Sequence, residues 1–141
     1  MISSFGAAPK KSVGHIALET MGGDASGRLA NGVLRQTIAQ YELDTLVFGA
    51  TMARVGDEAR AGQGLGAASS IFKYYGTELN MHRQELLMAI GGYDALVWEG
   101  GASDDGHLPK SWLRSKGNSI EGGTSEIQLN IVAKHILGLP G

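Results

Sequence analysis

Cysteine is absent from the chain, which excludes a disulfide framework and any thiolate-held metal centre. Proline is scarce, with three in 141 residues, so long helices meet few breakers. No apolar run approaches the roughly 20 residues that a membrane-spanning helix needs. There is no basic excess: 12 Lys and Arg against 14 Asp and Glu give a formal charge of -2, whereas a nucleic-acid surface shows a basic patch or stripe. Lys10 and Lys11 come after the short apolar start rather than before it, the wrong order for a secretory leader. The four histidines, His15, His82, His107 and His135, stand at no metal-ligand spacing from one another. The expectation is a soluble, cytoplasmic protein without a metal site, and a single domain long enough to bury a core.

Glycine, by contrast, is abundant, with 22 residues, and it divides the chain. Residues 1–32 hold Gly6, Pro9, Gly14, Gly22, Gly23 and Gly27 without a sustained hydrophobic period. They are expected to form an irregular arm, in which His15 to Leu18 could make a short strand or helical turn. From residue 33 the pattern changes. Leu34, Ile38, Tyr41, Thr45, Phe48, Met52 and Val55 alternate spacings of four and three, which predicts one long helix with an apolar stripe. Gly62, Gly64 and Gly66 follow a helix rather than a strand, so they read as an interhelical turn and not as part of a dinucleotide fingerprint.

A second helix is predicted from about Ala67 to Ile90. Phe72, Leu79, Leu86 and Ile90 mark one face, and Ala68 and Gly76 on it allow close approach. Gly91 and Gly92 close it, glycine being the residue that takes the left-handed cap conformation. Residues 100–109, with Asp104 and Asp105, read as a polar loop. A last helix starts at Ser125, with Ser125 and Gln128 as a capping box and Ile127, Ile131, Val132 and Ile136 as its buried face. Lys134 and His135 suit its negative pole, and Gly138 and Pro140 stop it. No segment alternates as strands require. The fold class is therefore all-α, an antiparallel up-and-down bundle of three to four helices over residues 33–141.

The segment from Glu121 to Gln128 carries chemistry. Gly122 and Gly123 deliver free backbone N–H groups at a helix N-terminus, beside the hydroxyls of Thr124 and Ser125. That arrangement suits an anion or an electron-rich ring edge. The residues alone leave a second reading open, a well-capped helix that binds nothing.

The run from Leu113 to Gln128, L-R-S-K-G-N-S-I-E-G-G-T-S-E-I-Q, followed by an apolar helix and Leu137-Gly138-Leu139-Pro140, resembles the C-terminal signature of the acyl-CoA dehydrogenases. The order of helices and glycine breaks upstream is similar to that family's C-terminal helical domain. The resemblance implies FAD as cofactor and oxidation of the Cα–Cβ bond of an acyl-CoA thioester, with a carboxylate as base. It implies flavin contacts from Gly123, Thr124 and Glu126. It implies approach of Gly91 and Gly92 to the adenine half of FAD from a neighbouring subunit, and it matches Arg114 to the arginine before the turn. Many members carry the catalytic glutamate immediately before the Gly-Thr pair. Here that position is Gly122, and Glu121, one residue upstream, is the candidate base. Met88 stands for a glutamine three residues before the Gly-Gly pair, and Leu129 for an arginine after the motif. The family's other domains are not encoded, so the chain is expected to be incomplete as an enzyme. It would act as a homodimer or beside a full-length or complementary dehydrogenase chain. The alternatives are a catalytically inert oligomerisation or docking module, and a related acyl-CoA oxidase.

Overall fold

A computed structural model describes residues 11–101 and 104–140. Among them the regular structure is entirely helical: α1 (Val13–Met21), α2 (Gly32–Arg60), α3 (Ala68–Gly91), α4 (His107–Lys116) and α5 (Ser125–His135), with single 3-10 turns at Asp94–Leu96 and Gly117–Ser119. The all-α expectation holds.

α2 and α3 form the long hairpin foretold by the apolar stripe. The Asn31 side chain caps α2 by accepting from the Leu34 N–H at 3.0 Å. The glycine-rich turn over residues 61–67 reverses the chain. Tyr41 meets His82 edge-on at 5.6 Å, and Phe48, seven residues on, meets Tyr75, seven residues back, at 5.8 Å. Opposite steps along the two helices show that they run antiparallel. Gly76 lies under Phe48, where a Cβ would come within 3.2 Å of the ring; the small residue expected to allow close approach admits an aromatic ring.

The main core lies at one end of this hairpin. Val13 and Ala17 of α1, Leu29 of the segment that leads into α2, Ile38 and Tyr41 of α2, and Leu86 and Ile90 of α3 form one buried cluster, with Leu34 and Leu79 packed against it. α1 thus corrects the irregular-arm expectation over Val13–Met21; residues 1–10 lie outside the described residues. The short apolar spacing Val13–Ala17 was too brief to announce a helix. Packing against the α2–α3 hairpin supplies the stability that a nine-residue helix lacks alone. Ser12 caps it, accepting from the His15 N–H at 3.2 Å.

α4 is a second correction. The polar loop expected over residues 100–109 gives way to a helix from His107, because Pro109 sits in the first turn, where its missing N–H costs nothing. Gly106 caps this helix with φ 75°, and it is pressed so closely on Trp98 that a Cβ would fall 2.1 Å from the Trp98 carbonyl oxygen. α4 and α5 both pack on α3, which touches every other helix and so acts as the central rod. Among the described residues, no helix is long and apolar enough to cross a membrane.

Candidate functional site

The chain from α4 into α5 is pinned along α3 in three steps. Lys116 pairs with Glu85. The Asn118 side-chain carbonyl accepts from the Asn80 amide at 2.8 Å. The Asn118 backbone carbonyl accepts from the Lys73 ammonium at 3.1 Å. The partners on α3 run backwards from 85 to 73 while the chain runs forwards, so this segment descends α3 toward its N-terminal end. There it delivers the Glu121–Gln128 turn.

Gly122 and Gly123 both take left-handed backbone angles, φ 63° and 95°, the reason two glycines stand together here. Thr124 is the residue that caps α5: its hydroxyl accepts from the Ile127 N–H at 3.3 Å. The capping box assigned to Ser125 and Gln128 does not form: the cap is Thr124, one residue earlier, whose extended backbone suits a cap, and the third helical position is then Ile127, which has no acceptor to complete a box. Gln128 has a different task. Its side chain, only 8% exposed, folds back to donate to the Gly122 carbonyl at 3.0 Å. This contact holds the turn closed and leaves no room for a side chain at 123, where a Cβ would lie 2.6 Å from Gln128 Nε2.

The buried face assigned to α5 is corrected as well. Ile127 is 52% exposed and Ile136 is also exposed, while Ile131 and Val132 are half-buried. The helix meets α3 through the Gln128 side, and part of its apolar stripe faces outward.

The electrostatics of the turn follow from its partners. Glu121 accepts from Arg114 Nη2 at 2.7 Å and from the Asn118 amide at 3.3 Å. Its carboxylate is thus turned back toward α4. Glu126 is exposed in the first turn of α5; its own backbone N–H, then the Thr124 hydroxyl, hold its carboxyl below the ordinary value, and Lys73 adds to the effect. The N–H groups of Gly122, Gly123, Thr124 and Ser125 have no acceptor among the described residues. A row of such donors at a helix N-terminus fits a phosphate or the electron-rich edge of a flavin.

The other predicted pair lies elsewhere. Gly91 and Gly92 end α3, and Gly91 is packed so tightly that a Cβ would meet the Ala95 Cβ at 2.7 Å. Lys73, which marks the turn, is 18 residues away on the same helix, about 27 Å at the helical rise. One copy of the chain therefore brings Glu121, Gly123, Thr124 and Glu126 together and holds Gly91 and Gly92 at the opposite end of α3. Sequence reasoning missed Lys73, Asn80 and Asn118 as parts of the turn. The one available signal was that Lys73 and Asn80, seven residues apart, share a helix face.

An all-helical domain built on a central rod, with a glycine turn opening its last helix, is the class that this geometry defines. Residues 12–137 match the family model described as acyl-CoA dehydrogenase, C-terminal domain, and the chain belongs to that family. Over 63 residues it is 40% identical to acyl-CoA dehydrogenase IpdE1 of Mycolicibacterium smegmatis, covering 43% of this chain and 16% of that protein. Its fold is similar to one in the crystal structure of the ChsE4-ChsE5 complex from Mycobacterium tuberculosis, with a TM-score of 0.68 at 25% identity. That likeness covers 92% of this chain and 33% of the other. The chain thus spans a small part of the curated relative and a third of the solved one.

Proposed function

We propose that this chain serves as the C-terminal helical domain of an FAD-dependent dehydrogenase of acyl-CoA thioesters in the cytoplasm, supplying flavin contacts and an assembly surface rather than a complete active site. The observation that carries this reading is the row of unbonded N–H groups from Gly122 to Ser125, held by Thr124 and Gln128, within a span that matches the family. Gly123, Thr124 and the first turn at Glu126 would hold the flavin or its pyrophosphate by N–H and hydroxyl donation. When bound, FAD supplies the hydride acceptor for Cα–Cβ oxidation. Gly91 and Gly92 would meet the adenine half of a cofactor centred on another subunit, since they lie about 27 Å from the turn along α3.

Glu121 we assign to holding the turn. To abstract a proton it would have to leave Arg114 and Asn118, and the adjoining position, Gly122, has no side chain. The base would then come from another chain or domain. A second reading, one half of a heteromeric dehydrogenase, is supported by this commitment of Glu121 and by the similar fold in a solved two-protein complex.

The test is a visible absorption spectrum of the purified chain before and after adding FAD, with its molar mass in solution. Flavin bound to a dimer or larger assembly supports the reading. A stable helical chain that takes up no flavin, alone or beside a complementary dehydrogenase chain, overturns it.

A further inference from the structure

We propose that Asn118 is a positioning residue for the N–H row that opens α5, acting as the clamp between the glycine turn and the central helix α3. The inference rests on the flavin reading above for its functional consequence, but its structural content is independent of it.

Asn118 uses every polar part of its side chain, and its carbonyl as well. Its Oδ1 accepts from Asn80 Nδ2 at 2.8 Å, its Nδ2 donates to Glu121 Oε2 at 3.3 Å, and its backbone carbonyl accepts from Lys73 Nζ at 3.1 Å. Two of these bonds reach α3, 38 and 45 residues away in the chain. The third reaches Glu121, directly before the two glycines. Glu121 is fixed from its other side by Arg114, and Arg114 stands in the last turn of α4. The rigid elements α3 and α4 are thus joined, through Asn118 and Glu121, to the flexible pair Gly122–Gly123. Two consecutive glycines with left-handed backbones have little conformational preference of their own. Contacts outside the pair must fix where their N–H groups point: Gln128 holds them from α5, and Asn118 ties the preceding residue, Glu121, to α3. Functional groups are placed accurately when supporting hydrogen bonds anchor them to rigid elements.

The side chain must both accept and donate, which an amide can do and a carboxylate cannot. Asn118→Asp keeps the size and removes the donor to Glu121, while placing two carboxylates together. Asn118→Ala removes both bonds. Asn80→Ala removes the side-chain bond to α3 from an exposed helix position and leaves the Lys73 bond to the Asn118 carbonyl in place.

The experiment is backbone nitrogen-15 relaxation by NMR on the full chain, read as order parameters at residues 122–125 and separately along α3, together with FAD titration followed by flavin absorbance. In Asn118→Ala, Asn118→Asp and Asn80→Ala, the order parameters at 122–125 should fall from the rigid range, about 0.85, toward about 0.6 while α3 stays rigid. FAD affinity should fall about five-fold or more, the scale of one net hydrogen bond. Unchanged order parameters at the turn in folded Asn80→Ala and Asn118→Asp overturn the clamp, whatever FAD does. A loosened turn in a chain whose wild type takes up no FAD leaves the clamp standing and refutes the flavin reading alone. A loosened turn with FAD affinity unchanged refutes the positioning role.

Discussion

Arg114, in the last turn of α4, holds Glu121, at the start of the glycine turn, by an ion pair of 2.7 Å. The two side chains are 65% and 50% exposed, so the pair lies in the range of surface salt bridges and contributes at most about 1 kcal/mol. Its importance is in direction: it turns the carboxylate toward α4 and away from the row of N–H groups. A candidate base so held has one bond on each carboxylate oxygen and is aimed at α4.

Glu121→Gln should therefore lower stability by no more than about 1 kcal/mol in urea denaturation. In the assembled enzyme, the variant should keep flavin reduction by acyl-CoA within about ten-fold of wild type, because loss of a general base costs about 100- to 10,000-fold. A loss in that larger range would make Glu121 the base and require the Arg114 pair to open during turnover.

Gly122 and Gly123 share a left-handed backbone but not their surroundings. At Gly122 a Cβ would meet nothing within 4 Å, whereas at Gly123 it would lie 2.6 Å from Gln128 Nε2. Gly122→Ala should cost about 1 kcal/mol from its backbone alone. Gly123→Ala should cost clearly more, because Gln128 must also leave the Gly122 carbonyl. Gln128→Ala in the Gly123→Ala background should then add little, as residues in contact are not additive. Equal costs for the two glycine variants in thermal denaturation would show that the Gln128 contact does not shape the turn.

Legibility in the sequence followed the length of the pattern. The stripe from Leu34 to Val55 and the face from Phe72 to Ile90 are long enough to declare helices, and the hairpin they form is as expected. α1 and α4 were hidden for different physical reasons. α1 is short and owes its stability to the hairpin it covers, and α4 has a proline and an Asp-Asp-Gly run at its start that read as a loop. The glycine turn was legible because punctuation is local. Its anchors were not: Lys73 and Asn80 are far from Asn118 in the chain, and only the packing of α4 and α5 on α3 brings them together. The outward face of α5 shows the same limit. An apolar period announces a buried face without saying which chain buries it.

The far end of α3 offers a test of packing. A Cβ at Gly91 would come 2.7 Å from the Ala95 Cβ, and Ala95 is fully buried. Gly91→Ala should cost about 1–3 kcal/mol by overpacking. Adding Ala95→Gly should recover most of that loss, giving a coupling of about 0.5–3 kcal/mol in a double-mutant cycle. Strict additivity would mean that the α3 terminus moves freely to admit the methyl group.

Thr124 performs two functions with one hydroxyl, and their pH dependence separates them. The oxygen accepts from the Ile127 N–H, and the hydroxyl proton is available to Glu126, whose carboxyl is held below 4.5 by its own N–H, then by Thr124. Thr124→Val should lose the cap, about 1 kcal/mol at neutral pH, and should raise the Glu126 pKa toward its ordinary value. Because folding lowers that pKa, the contribution of Glu126 is present above its unfolded value and is lost as pH falls through the folded one. Wild-type stability should therefore decline as the pH drops below 4.5, and the Thr124→Val variant should decline less over the same range. Thr124→Ser keeps the hydroxyl and should follow wild type in both respects. Carbon-detected titration of the Glu126 carboxyl, with urea denaturation at a series of acid pH values, reads the two effects independently. If Glu126 titrates at the same pH in Thr124→Val as in wild type, its own N–H alone sets its acidity, and Thr124 serves only as the cap.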